Sequence, residues 1–267
     1  MHLASEDEII AACGDAQIIL GTGNPSITAR VIESLPNLKF IQRFGVGVNS
    51  IDLDAALVDR FHEYPVANID DCMGRIAAVN NAIEPIGKGH LCGPAFTVRV
   101  PQGDNLMFHA AMDLAKPGDV IVIDAGGFED RSIFGELMAS YCKSRGIAGI
   151  VCDGAIRDRD GLAAMENFPV YARSATPNGP YKNGPGEINV PVVIGDKLVR
   201  PGDIIVGDGD GVIIVPAPIA EQVADATDAV MKMEAGIMDK IVTEGTYIRP
   251  WVEEKLQSIG CEIIDSL

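Results

Sequence analysis

Residues 134–160, FGELMASYCKSRGIAGIVCDGAIRDRD, decide how the rest of the chain is read. Leu137, Met138 and Tyr141 recur at the spacing of one helix face. Gly146 follows as the stop, because the position just past a helix C-terminus commonly needs positive φ, which glycine adopts without steric cost. GIVCDGAI, residues 149–156, is an apolar run without alternation, the pattern of a strand covered on both faces. Arg157 and Asp158 therefore stand where that strand ends. In α/β proteins, loops and helix N-termini converge at the carboxyl ends of buried strands, and ligands bind there. The expected fold class is α/β.

Outward from this stretch, strands and helices alternate. PAFTVRVP (94–101) reads as a strand, NLMFHAAMDLA (105–115) as a helix entered through Gly103-Asp104-Asn105, and DVIVIDAG (119–126) as the next strand. KPGDVIVIDAGG (116–127) and RPGDIIVGDGDG (200–211) repeat one device, a Pro-Gly-Asp turn feeding a β-run. Their separation is too long for a solenoid period. Residues 176–186, rich in Pro and Gly, read as a long surface loop, either a functional lid or a connector. GDIIVG and GVIIVP follow as strands, then an amphipathic helix over 218–245 ending near Gly236 or Gly245, and a last short helix, WVEEKLQSIG. Upstream, VANIDDCMGRIAAV (66–79) reads as a helix with Asn68 or Asp70 near its cap.

The first 55 residues form a separate small α/β module. SEDEIIAACGDA gives a helix, AQIILG a strand, SITARVIESL a helix capped by Ser26, and LKFIQRFG a second strand, which together suggest a βαβ unit. The division expected is 1–55 and 56–267.

Composition narrows the function classes. Thirty-eight acidic against 21 basic residues give a formal charge of −17, which repels nucleic acid and anionic membrane surfaces in the absence of a basic patch. Neither is expected as a partner. The six cysteines are irregularly spaced, without a CxxC pair, and read as reduced thiols. The acidic start MHLASEDEIIAACG has no long apolar core, so neither a secretion signal nor a membrane anchor is expected, and a cytoplasmic location is. Gly21-Thr-Gly23-Asn-Pro25 matches neither a phosphate-cradling loop nor a dinucleotide fingerprint.

The chemistry available at the strand end is that of a carboxylate site. Glu136 opens the preceding helix, where unpaired N–H groups favour anions, so the amides of Leu137 and Met138 can receive a carboxylate. Asp158 is a hard oxygen ligand suited to Mg²⁺ or Mn²⁺. Arg157 carries planar donors that can bind a carboxylate or stabilise an enolate oxygen. A plain alternative stands open at this point, since an Arg-Asp pair at a strand–helix junction also serves as an N-cap with a solvated ion pair. His109, on the helix after Asn105, reads as a core or cap histidine rather than a base.

Two resemblances sharpen these readings. Residues 19–56, with the loop GVGVNSIDL, are similar to part of the substrate domain of D-isomer-specific 2-hydroxyacid dehydrogenases, although the dinucleotide-binding half is missing. VANIDDCMGR, CGPAFTVRVPQGDNLMFHAA, KPGDVIVIDAGG, FGELMASYCKSRGIAGIVCDGAIRD and INVPVVIGDKLVRPGDIIVGDGDGVIIVP, within 66–246, resemble another family. It contains regulator of ribonuclease activity A and the class II 4-hydroxy-4-methyl-2-oxoglutarate / 4-carboxy-4-hydroxy-2-oxoadipate aldolases. The resemblance implies a swivelling β/β/α domain, assembled as a homotrimer or homohexamer. It also implies a Mg²⁺- or Mn²⁺-dependent lyase that cleaves a 4-hydroxy-2-oxo acid to pyruvate and a carbonyl compound, with oxaloacetate decarboxylation as a side activity. By that resemblance Asp158 is the metal ligand, Glu136 orients a metal-bound water, Arg157 contacts the pyruvyl oxygen, and Leu137, Met138 and Asn105 bind substrate. Glu234 matches an acidic residue lent through water by a neighbouring subunit. Glu136 stands where the family more often has Asp. The alternative is a non-catalytic, ribonuclease-binding regulator, whose branch lacks the acidic pair.

Overall fold

The computed structural model describes residues 5–16, 18–22, 28–37, 40–44 and 55–262. The chain divides into two compact units, Met1–Asp225 and Ala226–Leu267.

In the first unit, α1 (Glu6–Cys13) opens with a complete capping box, the Ser5 hydroxyl accepting from Glu8 N while the Glu8 carboxylate accepts from Ser5 N. Strand β1 (Ile18–Thr22), helix α2 (Ala29–Glu33) and parallel strand β2 (Phe40–Phe44) complete the βαβ unit expected from the sequence. The cap of α2 is Thr28, whose hydroxyl accepts from Val31 N at 3.4 Å. Ser26, expected in that role, lies outside the described residues, as do the GVGVNSIDL loop and 23–25 of the Gly-Thr-Gly stretch.

Helices α3 (Ala55–Phe61) and α4 (Val66–Cys72) lead into short strand β3 (Glu84–Pro85) and long strand β4 (Leu91–Arg99). Pro65, not Asn68 or Asp70, holds the N-cap of α4. The first-turn amide of Val66 is satisfied from far along the chain, donating to Asp208 Oδ2 at 3.0 Å. Asp70 instead accepts from Ala77 N at 2.9 Å and fixes the exit from the helix.

Next come α5 (Leu106–Leu114), β5 (Val120–Ser132), α6 (Glu136–Ser144), β6 (Gly149–Ile156), α7 (Arg159–Ala164) and β7 (Val170–Ala175). Strands β8 (Glu187–Ile188), β9 (Val192–Ile194), β10 (Lys197–Val199), β11 (Ile204–Asp208) and β12 (Gly211–Val215) follow. Strands β4 to β7 pair in parallel within an eight-stranded sheet ordered β12-β11-β4-β5-β6-β7-β3, with β8 on β4. Every residue of β6 is buried, as its unbroken apolar run predicts.

Successive side chains go to opposite faces. Ile121, Ile123, Ile150 and Cys152 pack with Phe108, Ala139, Cys142 and Leu162 of the helices, whereas Val120, Val122 and Val151 pack with Val192, Ile194 and Val199 of the β9–β10 hairpin. Each fully buried Ile or Val contributes about 1.5–3 kcal/mol relative to exposure, so this double-sided packing is a main source of stability. The two Pro-Gly-Asp turns are built alike. Asp119 accepts from Lys116 N at 2.8 Å and Asp203 from Arg200 N at 2.7 Å, with Gly118 and Gly202 at φ 88° and 86°.

The face of α6 differs from expectation. Ala139 and Cys142 are its buried residues, while Leu137 is 83% and Tyr141 42% exposed; Met138 alone of the expected stripe packs partly on the core. Small residues let this short helix approach the sheet, and Leu137 is released to the mouth of the site.

The second unit contains most of α8 (Ala220–Glu244) and all of α9 (Pro250–Ser258). The long helix stops at Gly245, with φ 67°, and passes through Gly236 without a break. Among the described residues, no helix is long and apolar enough to cross a membrane.

Candidate active site

The carboxyl ends of β4, β5 and β6 lead into α5, α6 and α7 through short connections that lie side by side. Arg157 N donates to Phe134 O at 2.9 Å and Ile133 N to Ala155 O at 2.8 Å, so the exits of β5 and β6 are stitched together. This brings Arg157 and Asp158 beside the first residue of α6, Glu136, whose carboxylate lies against Gly161 and is not among the groups lining the pocket. Arg157, Asp158, Leu137, Met138 and Asn105 line a single pocket, closed by Gly135 and Pro180.

Asp158 sits at the N-cap of α7 with left-handed backbone, φ 56° and ψ 40°. That conformation is costly for a residue with a Cβ and is tolerated where surrounding structure over-determines it. Its side chain does not cap its own helix. Instead Oδ2 accepts from Glu136 N at 3.2 Å, placing the carboxylate at the N-terminus of α6, whose cap residue Gly135 has no side chain to offer. The amides of Leu137 and Met138 precede the first intrahelical bond, Ala139 N to Gly135 O, and belong to the donor set of the first turn. Arg157 Nε lies 3.7 Å from Asp158 Oδ2, a loose pair with both side chains half exposed. The guanidinium is thus left available for a second anion.

Two glycines make room for the carboxylates. A Cβ at Gly135 would stand 2.8 Å from Arg157 Cγ and 3.0 Å from Asp158 Cγ, and closer still to Asp158 Oδ2. A Cβ at Gly161 would stand 2.7 Å from Glu136 Cδ. Asp158 and Glu136 are therefore held in cradles. Asp158 lines the mostly apolar pocket, and the Glu136 carboxylate lies beside Gly161, outside its lining. A divalent cation that keeps water and ligand oxygens in most positions takes only one or two protein carboxylates, which this pair could offer. Among the described residues, no group of three acidic, His or Cys side chains is arranged to enclose a metal without such help.

Asn105 shows the site's polarity from the other side. It is 2% exposed at the N-cap of α5, yet makes no side-chain cap; Nδ2 donates to Ile133 O at 2.9 Å and Oδ1 has no partner. The capping work passes to Asp104, whose carboxylate accepts from Leu106 N at 2.9 Å, Asn183 N at 2.6 Å and Gly184 N at 3.1 Å. Burial pushes the Asp104 carboxyl up, but the three amides outweigh it and hold the group below its ordinary value. Further bonds, Asn105 N to Tyr181 O and Tyr181 N to Gly103 O, fasten residues 176–186 to the entry of α5. Arg131 stacks 4.0 Å over the Tyr181 ring and donates to Gly179 O. This loop is a fixed wall and not a free connector.

His109 stands one turn into α5 and does not line the pocket. Burial and the nearby Lys182 lower its pKa against the pull of Asp113, which suits the structural reading. Glu234, on α8, is exposed and belongs to the second unit. Sequence reasoning missed Asp104, Gly135, Gly161 and Pro180. An Asp entering a helix signals a cap, but nothing local marks its partners 79 and 80 positions away.

A mixed α/β domain with a carboxylate-bearing pocket at the carboxyl ends of its parallel strands is the class defined by this geometry. A family profile described as RraA-like, Aldolase/RraA, matches residues 55–214, and the chain belongs to that family. Residues 2–60 match the catalytic domain of D-isomer specific 2-hydroxyacid dehydrogenases. A relative from Halalkalibacterium halodurans, named "Putative 4-hydroxy-4-methyl-2-oxoglutarate aldolase", is 43% identical over 167 residues, 62% of this chain and 79% of its own length. Among solved structures, Streptomyces coelicolor RraAS2, described as an unusual member of the RNase ES inhibitor RraA family, aligns with TM-score 0.62 and 26% identity over 70% of this chain and 99% of its own. The RNA-processing inhibitor RraA from Thermus thermophilis aligns with TM-score 0.54 and 27% identity, covering 58% of this chain and 93% of its own.

Proposed function

We propose that the chain is a divalent-metal-dependent lyase that cleaves a 4-hydroxy-2-oxo acid to pyruvate and a second carbonyl compound. The observation that carries this reading is the convergence of Asp158, Arg157 and the α6 N-terminus on one pocket that also contains the unpartnered Asn105 Oδ1. The aldolase name of the Halalkalibacterium halodurans relative supports it.

In this reading the amides of Leu137 and Met138 hold the substrate carboxylate, since first-turn N–H groups point outward and their dipole favours an anion. Arg157 binds the C2 oxygen and offsets the charge that grows there as the C3–C4 bond breaks. Asp158 would hold Mg²⁺ or Mn²⁺, with Glu136 assisting through water, and the ion would supply Lewis-acid polarisation when bound. Glu136 orients the water that takes the C4-hydroxyl proton. The same enolate forms from oxaloacetate by loss of carbon dioxide, so decarboxylation accompanies the main activity.

The β/β/α layering fits a swivelling domain, and a homotrimer or homohexamer in which Glu234 reaches a neighbour's site completes the proposal. The test is pyruvate release from 4-hydroxy-2-oxo acids, with and without Mg²⁺. EDTA treatment and Asp158→Ala are each expected to lower the rate at least about 100-fold, the scale of losing an electrostatic stabiliser. Full activity in either case overturns the metal mechanism. The RraA structures support a second reading, a ribonuclease-binding regulator. Absence of any metal-dependent turnover, with binding to a ribonuclease, would favour it.

A further inference from the structure

Among the described residues past Thr227, none is buried. Helix α9 has nine residues, no side-chain N-cap and no buried side chain. A helix that short is marginal in water and draws its stability from packing an apolar face. Trp251, the chain's single tryptophan, is nevertheless 63% exposed, and Tyr247, Ile248 and Ile259 are exposed with it. Both α8 and α9 lie beyond residues 55–214, the span matched by the family.

The two helices carry complementary surfaces. One flank of α8 is an open groove of about 500 Å³ lined by Ala229, Lys232, Met233, Gly236, Ile237 and Lys240. Ala229 and Gly236 are small enough for a second helix to come close, and the two lysines make the groove basic. On α9, Trp251, Val252, Leu256 and Ile259 share one face at helical spacing, and Glu253 and Glu254 fall on its two margins. Lys255 lies within that face, where its aliphatic stem can pack. The connection 245–249 is short enough for α9 to fold back onto α8, yet α9 buries nothing and the groove stays open. A chain's own α9 therefore does not fill its own groove.

From this we infer that α9 of one copy docks in the α8 groove of a second copy, Glu253 and Glu254 meeting the partner's Lys232 and Lys240. Each copy offers one helix and one groove, so the exchange is reciprocal and closes about a two-fold axis. The area suffices. From Met233 to Ile259, eight large apolar side chains are between 36% and 77% exposed. At roughly 100 Å² each they offer on the order of 800 Å², one partner's share of a standard interface and more than a soluble monomer commonly leaves apolar. The inference is independent of the lyase reading. Added to the three-fold assembly proposed above, this two-fold contact selects the homohexamer.

The experiment follows the full chain by sedimentation velocity and Trp251 emission over a dilution series. Emission should be blue-shifted in the assembled protein, as for a buried indole, and should move to the red as dilution separates the copies. Lys232→Glu combined with Lys240→Glu should weaken the two-fold association about 100-fold or more, because like charges then meet across the contact. Glu253→Lys combined with Glu254→Lys should do the same, and the four changes together should restore it. All four positions are exposed, so a thermal melt should be unchanged in unassembled protein. Red emission at every concentration would overturn the inference and leave the arm to a different partner. Blue emission in particles of monomer mass would overturn it in favour of cover by the same chain, and losses without rescue in the fourfold variant would overturn the assigned pairing.

Discussion

Gly135→Ala is the change that best tests whether the position of the Asp158 carboxylate matters. Gly135 has φ −145° and ψ −164°, extended backbone that alanine adopts freely, so no conformational strain accompanies the substitution. The effect is steric. The new methyl would stand 3.0 Å from Asp158 Cγ and 2.8 Å from Arg157 Cγ, against an ordinary contact of about 3.5–4.0 Å between carbons. Both side chains must therefore give way by roughly 0.5–1 Å or more. Both are about half exposed, at 46%, and can swing into solvent, so the fold should lose less than about 1 kcal/mol. Catalysis should suffer far more. A misplacement of about 1 Å in a reacting constellation costs about 100-fold in rate. The measurement is kcat/KM for pyruvate formation beside a thermal melt, with Asp158→Ala and the double variant completing a cycle. If the methyl acts by displacing Asp158, the double variant loses little beyond Asp158→Ala alone. Full activity in Gly135→Ala, or additive losses in the cycle, would refute the reasoning.

Other outcomes follow from neighbouring contacts. Gly161→Ala brings a methyl to 2.7 Å from Glu136 Cδ, but the obstacle is the end of a flexible side chain inside an exposed helix turn. Activity should fall by about 10-fold or less while the melt rises, because alanine stabilises a helix interior by up to about 1 kcal/mol over glycine; a fall in both would disprove this. Asp104→Ala removes the acceptor shared by Leu106, Asn183 and Gly184 and should cost about 2–4 kcal/mol in denaturant unfolding. The Asp104 carboxyl is depressed in the folded protein, so its contribution is fully present above the unfolded carboxyl value of about 3.9 and is lost as pH falls through the lower folded value. The difference in stability between the native protein and Asp104→Asn should shrink over that acid range and stay constant near neutrality; a difference independent of pH would contradict the assignment.

How far the molecule could be read from its sequence depended on the range of the interactions involved. The Pro-Gly-Asp turns were legible because each is closed by groups within four positions, the Asp carboxylate reaching back to the backbone N–H before the proline. The central strand was legible because burial on both faces requires an unbroken apolar run. The face of α6 was not, because hydrophobicity ranks Leu137 and Tyr141 above Ala139 and Cys142, whereas close approach of a helix to a sheet favours the smaller side chains. The register of Arg157-Asp158 at the strand exit was readable. The left-handed backbone of Asp158 and the clamp at Asp104 were not, since both depend on segments brought together only by the sheet.

Those unreadable features explain one another. Residues in left-handed backbone cost about 1–3 kcal/mol and a lost N-cap about 1 kcal/mol, so each is normally avoided. Here Asp158 accepts the first cost, and by turning away from its own helix it brings its carboxylate to the N-terminus of α6. Asn105 gives up capping α5, and its buried Oδ1 is left for the pocket. Asp104 makes the second exchange possible, because it takes over the Leu106 amide and secures the loop carrying Pro180 in the same three bonds. The polar groups of the pocket are thus displaced from ordinary structural duties, and neighbours outside it carry those duties instead. A strand exit serving only as a cap and a solvated ion pair would show the opposite, with Asp158 capping α7 and Asn105 capping α5. That difference moves the balance from the plain reading toward a site organised before its ligand arrives.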